Sequence, residues 1–312
     1  MARTSVKTAI KIVLSIVLLG IALYYAGIQK TIGELSSSNL AYIPLGVAIY
    51  LLSQWLSSYR WQFLARRLEF HLPLRQFFDF YMLGMYFNLF LPGSIGGDVS
   101  RVYYLAKAQN RRKREALLTL LAERGVGMAA LLLLTGALCL TPDAAPIPAW
   151  LRQSILLLCA LMGGGYVALL IAPISRWAER IPKLGLLAQA QPYWRDFPLL
   201  AKSVALSLAV QGMMIGIQLM IAHALGITVQ PLYLTAVYGI VTLVSVTPLF
   251  FNGIGVREGA YQWLLMKVGV SAHAAMAFGL YWFLISTLTS LCGAWTLFRG
   301  YYRAPAPAEA AS

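Results

Sequence analysis

The stretch QFFDFYMLGMYFNLFLPGSIGGDVSRVYYLA, residues 76–106, decides how the chain must be read. It exceeds the roughly 20 largely apolar residues that a membrane-spanning helix needs. Yet it is broken at Pro92, Gly93, Gly96 and Gly97. Basic residues crowd both flanks: Arg60, Arg66, Arg67 and Arg75 before it, Lys107, Arg111, Arg112, Lys113 and Arg114 after it. Lys and Arg collect in the short cytoplasmic loops of membrane proteins. Two basic flanks therefore belong on one face. The spacing predicts that 76–106 enters from the cytoplasm, turns at Pro92–Gly97 and returns.

Working outward, the same count orients the remaining apolar runs. Spans are expected at 11–28, 40–59, 116–140, 152–173, 200–225 and 272–298. Arg3, Lys7 and Lys11 put the N-terminus inside; Lys11–Ile28 lacks a small-x-small cleavage site, so it reads as a span and not a signal peptide. Tyr59, Arg60 and Trp61 are expected to mark an interface, as are Trp295, Tyr301 and Tyr302. The loop after the first span holds only Lys30 and is outside; 141–151 is uncharged in Lys and Arg and is outside. The loop 174–202 carries Arg176, Arg180, Lys183, Arg195 and Lys202 and is inside, as is the tail with Arg299 and Arg303. The segment 232–266 must then start and finish outside, as a second re-entrant hairpin turning at Pro248–Gly255.

The expected fold is an all-α polytopic membrane protein: an inverted repeat of three spanning helices plus one re-entrant helical hairpin per half. That makes six spans and two hairpins, with repeat 1 at about 7–140 and repeat 2 at about 150–300. An echo between LPGSIGGDVSR (91–101) and TPLFFNGIGVREGAY (247–261) falls at matching positions: Pro, then Gly, then Ile-Gly, then acid and Arg. Residues 1–303 form a single transmembrane domain, and 304–312, with Pro305 and Pro307, a disordered tail.

Composition agrees. The chain is 59% hydrophobic and 12% charged, with a mean hydropathy of +0.69. A soluble domain carries about a quarter charged residues. The net charge of +14 would suggest nucleic acid in a soluble protein, but here the basic residues sit between apolar spans, so no nucleic-acid partner is expected. Cys139, Cys159 and Cys292 lie within apolar spans and read as small core residues; His71, His223 and His273 form no metal-spacing pair. No metal or cofactor is expected, and no GxxxxGK[ST] phosphate loop occurs.

Non-helical backbone at membrane depth is tolerated only beside protein or a wet cavity. Two turns entering from opposite faces can meet near the midplane. The glycines Gly96, Gly97, Gly253 and Gly255 permit close backbone approach, and the first N–H groups of each returning helix favour an anion. Asp98 with Arg101, and Arg257 with Glu258, add charges that are costly at depth and commonly line a polar path. The functional reading is a lipid-headgroup site, with Arg101 and Arg257 on phosphate, Asp98 and Glu258 on a cationic group or balancing the arginines. The structural reading is that each acid only neutralises its neighbouring Arg. Glu123 and Arg124 line the cavity or pin the first hairpin. Asn88, Asn252 and Gln211 read first as partners of helix backbone. Gly163–Gly165 and the Gly212/Gly216 pair read as places of close helix packing. The run Arg111–Arg114 reads as a topology determinant and a patch for anionic lipid headgroups.

PGSIGGDVSR (92–101), PLFFNGIGVREGAY (248–261) and ERG (123–125), in their order, resemble the lysylphosphatidylglycerol synthase transmembrane-region family of flippase-like proteins. The likeness covers about 10–300. It implies a multi-pass inner-membrane protein associated with moving modified or glycosylated lipids between leaflets. It maps the family's motif onto Gly96, Gly97, Asp98, Arg101, Gly253, Gly255, Arg257 and Glu258. Phe250 and Phe251 depart from the small or polar residues expected before Asn252 and would reshape the pocket for a different lipid. The soluble aminoacyltransferase domain of the multiple peptide resistance factor is absent from these 312 residues, so lysyl-lipid synthesis is not implied. Three functions stay open. The first is a translocase for an anionic, aminoacylated or glycosylated lipid, which is not an enzyme. The second is a lipid-head-modifying transferase using Asp98 or Glu258. The third is a membrane subunit whose basic loops dock a glycolipid-pathway enzyme. Both termini are expected to be cytoplasmic.

Overall fold

The computed structural model describes residues 13, 16–17, 19–90, 95–110, 113–172, 188–246 and 253–298. The turn residues 91–94 and 247–252 (hence Asn252 and the Phe250-Phe251 pair), Arg111, Arg112, residues 173–187 and the tail lie outside them. So do most of the residues before 19 in the first expected span.

Every regular element among the described residues is helical. After helical residues 19–26 come α1 (Ile28–Ser37), α2 (Tyr42–Ala65), α3 (Leu74–Phe90), α4 (Ile95–Ala108) and α5 (Lys113–Cys139). Then follow α6 (Ala149–Ile171), α7 (Phe197–Ala224), α8 (Pro231–Ser245), α9 (Val256–Met266), α10 (Ala272–Leu291) and α11 (Ala294–Phe298). Among the described residues, four helices are long and apolar enough to cross a membrane: Lys113–Cys139, Ala149–Ile171, Phe197–Ala224 and Ala272–Thr296. The bent pair of α1 and α2 passes the same test when taken together. The chain is thus an all-α polytopic membrane protein.

α1 differs from the expected loop around Lys30. Gly27, at φ 80, ends the preceding helix, and α1 then runs at 84° to the α2 helix. Thr31 is buried while Ile28 and Ile32 stay exposed, so the helix presents one face to α10 and one outward. Its Glu34 pairs with His273 Nε2 at 3.3 Å.

α3 and α4 form an antiparallel hairpin. Successive cross-contacts run in opposite directions along the two helices: Phe80 stacks on Tyr104, the Arg101 side chain crosses Gly84, and the Gly97 N–H donates to Asn88 Oδ1 at 2.8 Å. α8 and α9 repeat the arrangement, with the Tyr233 hydroxyl donating to the Leu264 carbonyl at 2.6 Å and Gly253 lying against Ser245. The two hairpins have separate cores. The first closes over Trp61, Phe70, Phe77, Phe80 and Leu105; the second belongs to the main cluster, with Tyr233, Val237, Tyr261, Phe278 and Tyr281.

The packing pattern maps onto itself when the halves of the chain are exchanged. α2 packs on α3 as α7 does on α8, and on α5 as α7 does on α10. α4 packs on α5 as α9 does on α10. Across the halves, α2 meets α10 as α7 meets α5, and α3 meets α10 as α8 meets α5. The α2–α7 contact is its own counterpart. Met276 of α10 receives Ala22 and Ala26, as α5 receives α6.

Three readings of small residues are corrected. Trp61 is fully buried and Arg60 nearly so, because Ser53, Ser57 and Arg60 share a helical face that α5 and α7 cover; they are not an interfacial belt. Cys292 is exposed and not a core residue. Gly163, Gly164, Gly165, Gly212 and Gly216 have nothing within 4 Å of a notional Cβ among the described residues, so they support no close packing there. With no contact to lose, alanine at Gly163, Gly164 and Gly165 together is expected to raise stability by about 1 kcal/mol per site through helix propensity. A thermal melt of the purified triple variant checks this; a lowered midpoint would mean that another surface packs on α6.

Candidate functional site

Among the described residues, three groups of charged side chains inside the helices bear on the hairpins. The first is Arg60 with Glu123, an ion pair whose side chains are 6% and 2% exposed. Arg60 Nη2 donates to Glu123 Oε1, and Nη1 donates to Ser207 Oγ at 2.6 Å. The pair thus ties α2, α5 and α7 together. Gly127, one turn beyond Glu123, leaves room for the guanidinium; a Cβ there would sit 3.2 Å from Arg60 Nη2.

The second group is Asp98, Arg124 and Arg101. Asp98 Oδ1 accepts from Arg124 Nη2 at 2.7 Å and Nε at 3.1 Å. Arg101 Nη1 is 3.9 Å away from the same oxygen, beyond hydrogen-bond range. The expected i, i+3 partnership is therefore secondary, because α5 offers Asp98 a better aligned fork from across the hairpin. Arg101 is held by aromatic faces: its guanidinium carbon lies 3.2 Å from the Tyr81 ring centre and 5.3 Å from that of Trp61. It is 5% exposed, and its Nε and Nη2 have no hydrogen-bond partner among the described residues. Two guanidiniums share one carboxylate, so the group carries an excess positive charge. The rise along α5 from Arg114 to Arg124 is about 15 Å. If the basic end of α5 lies at the membrane surface, Asp98 and Arg124 fall near the middle of a hydrocarbon layer about 30 Å thick.

The third group is Arg257 with Glu258 at the start of α9. Gly253 and Gly255 adopt φ of 72° and 83°, a left-handed backbone that disfavours any side chain. That geometry turns the chain into α9 and aims the first N–H groups at Glu258: Gly255 N–H donates to Oε2 at 2.7 Å. Arg257 Nε and Nη2 both donate to Oε1, at 2.9 and 2.6 Å. Glu258 is thus a structural anchor with both oxygens engaged, and Gly279 of α10 packs against it. Among the described residues Arg257 Nη1 has no hydrogen-bond partner, and the guanidinium lies 5.5 Å from the Phe283 ring centre.

Arg257 also lines a cavity of about 140 Å³ between the hairpins. Its wall holds Asn88, Met85 and Leu89 from α3, Arg257 from α9, Tyr50 from α2, and Phe283, Ser286, Thr287 and Ser290 from α10. Asn88 uses its carbonyl oxygen on Gly97, as a backbone partner should, which leaves its amide donors for the cavity. The Ser286 and Ser290 hydroxyls donate to the carbonyls of Phe283 and Ser286, so their oxygens face the cavity as acceptors. Donors on one wall and acceptors on the other suit a polar group that carries both.

The cavity thus brings together Arg257 and the end of the first hairpin, but Asp98, Arg101, Glu123 and Arg124 lie outside its wall. Gly96 and Gly97 start α4; Gly97 meets α3 at Gly84 and Asn88 and does not line the cavity. Gln211 accepts from the Tyr238 hydroxyl at 2.8 Å, a side-chain and not a backbone partner. Reading the sequence alone missed Arg60, Tyr50 and the α10 hydroxyls. The run Ser53, Gln54, Ser57, Ser58 leading to Arg60 was the available signal, since small polar residues at helical spacing within an apolar span mark an inward face.

A polytopic helical membrane protein with paired hairpins, buried ion pairs and a polar cavity between them is the class that fold and site define. Within it, the chain belongs to the lysylphosphatidylglycerol synthase TM-region family, whose model matches residues 8–293. Similar proteins include UPF0104 membrane protein MJ1595 of Methanocaldococcus jannaschii, 28% identical over 130 residues, covering 41% of this chain and 39% of that protein. UPF0104 membrane protein PH1989 of Pyrococcus horikoshii is 24% identical over 120 residues, 38% of this chain and 36% of that one. The matches thus span well under half the length of either relative. No solved structure matches the chain.

Proposed function

We propose that this protein is a lipid translocase, moving an anionic, aminoacylated or glycosylated lipid between leaflets through a site at the two hairpins. The observation that carries the reading is the polar cavity shared by Asn88 of one hairpin and Arg257 of the other. Charged and hydroxyl-bearing walls inside an apolar helical body have a cost that a passing headgroup explains. The self-mapping packing supports an inverted repeat in which both hairpins are re-entrant and one half rocks against the other about the α2–α7 contact. Arg257 takes the phosphate on its Nη1 edge, Asn88 and Tyr50 add donors, and the α10 hydroxyls accept from ammonium or sugar groups. Asp98, Arg101, Arg124, Gly96, Gly97, Gly253, Gly255 and Glu258 shape or charge the two hairpins around that path; Asn252 belongs to the same motif. The protein sits in the inner membrane with both termini cytoplasmic and performs no covalent chemistry.

Leaflet exchange of labelled lipids in proteoliposomes tests this. Wild type is expected to exchange a lipid from a panel of anionic, aminoacylated and glycosylated headgroups. Arg257→Gln should slow it about tenfold or more, the worth of one hydrogen bond to a charged group. Tyr50→Phe, which removes only a hydroxyl from the cavity wall, should slow it less while leaving the fold intact. Failure of wild type to exchange any lipid of the panel, with or without an ion gradient, would overturn the reading.

A further inference from the structure

A second hollow lies on the outer side of the first hairpin. α4 and α5 leave between them a groove of about 420 Å³ whose wall is almost wholly apolar, with Val102, Leu117 and Leu121 along it. Leu117 and Leu121 are 38% and 51% exposed, so the groove opens sideways, away from the helical body. Its two ends are charged. At one end stand Lys113 and Arg114; at the other is Asp98, bound to Arg124. Lys113 and Lys107 both rest against the Tyr103 ring, at 5.5 and 5.9 Å from its centre, which gathers their ammonium groups at the mouth.

We infer that this groove seats one acyl chain of an anionic membrane phospholipid, with its phosphate on Lys113 and Arg114. Three features select that occupant. The wall offers apolar contact and almost no hydrogen-bonding groups, so it suits a hydrocarbon chain. Among the described residues lining it, the mouth offers cations and an aromatic ring, the complement of a phosphate at a membrane surface. The distance from mouth to floor, about 15 Å along α5, equals one leaflet of hydrocarbon. A phospholipid in its ordinary orientation would therefore reach from Lys113 down to the Asp98–Arg124 pair. The cavity beside Arg257 lies elsewhere, so this site holds whether or not the cavity translocates a headgroup.

Native mass spectrometry of the detergent-solubilised full chain, titrated with dioleoyl-phosphatidylglycerol and separately with dioleoyl-phosphatidylcholine, tests the assignment. Wild type is expected to hold phosphatidylglycerol in preference. Lys113→Gln with Arg114→Gln, both exposed side chains, should weaken phosphatidylglycerol about tenfold, to the level of phosphatidylcholine. Leu121→Trp, which fills the groove from its open side, should weaken both lipids. The effect of Arg257→Gln on leaflet exchange is a separate result, read in a different assay. Wild-type preference retained in the Lys113/Arg114 variant, or unchanged binding in Leu121→Trp, would show that the lipid binds at another surface and would overturn the inference.

Discussion

Replacing Gly97 by alanine is expected to destabilise the protein by about 3 kcal/mol, the upper range for forcing a methyl group into a packed contact. A Cβ at Gly97 would be driven into the Gly84 carbonyl oxygen and to 2.6 Å from Asn88 Oδ1. Neither can retreat cheaply. The Gly84 carbonyl is part of the α3 backbone, and Asn88 is committed to the Gly97 N–H. Opening the hairpin to make room would also lift Arg101 off Tyr81, since that side chain crosses Gly84. The control is Gly125→Ala on α5, where a notional Cβ meets nothing within 4 Å. It should be neutral or slightly stabilising. Unfolding titrations of both variants decide the matter. Equal midpoints would mean that the helices of the hairpin are held less closely than their contacts indicate.

The second large effect is expected at Glu123. Glu123→Gln removes the counter-charge of Arg60, whose side chain is 6% exposed, and should cost about 3–5 kcal/mol. The penalty comes from the stranded guanidinium more than from the lost attraction, because a buried charge without a partner loses its hydration and gains nothing in return. The remaining contact to Ser207 Oγ is a single hydrogen bond and cannot compensate. The double variant Arg60→Met with Glu123→Leu should therefore recover most of the loss. Recovery would identify the pair as self-neutralising. A double variant as unstable as Glu123→Gln alone would assign the cost to lost packing among α2, α5 and α7.

These two sites also show how unevenly the sequence discloses the molecule. The breaks at Pro92–Gly97 and Pro248–Gly255 disclosed both hairpins, because Gly and Pro interrupt helices locally and need no distant partner to do so. The left-handed backbone at Gly253 and Gly255 is of the same kind. By contrast, the hydrogen-bonded partner of Asp98 lies on another helix, while Arg101 stays at 3.9 Å. Arg101 is near in sequence, but Arg124 wins because the α4–α5 packing brings a two-pronged donor to the carboxylate. Arg60 was misplaced for a related reason. Counting charges assigns it to a loop, while its helical face delivers it to Glu123 and Ser207. The glycine run 163–165 errs in the opposite sense: it has the composition of a packing interface, yet among the described residues nothing lies within 4 Å of a notional Cβ there.

By itself, then, the sequence determined that the chain is apolar and helical, where it bends back, and which residues bring charge to those bends. Hydropathy, helix breaking and charge are properties of residues and their near neighbours, so they can be read along the chain. Tertiary structure alone decided which arginine meets which carboxylate and that Arg257 and Asn88 face one cavity while Asp98 faces another groove. It also decided that α1 lies across the bundle. Those outcomes depend on the rotation of each helix about its axis and on which helix packs beside it. Both are set by contacts between segments far apart in sequence, where one turn more or less changes the partner.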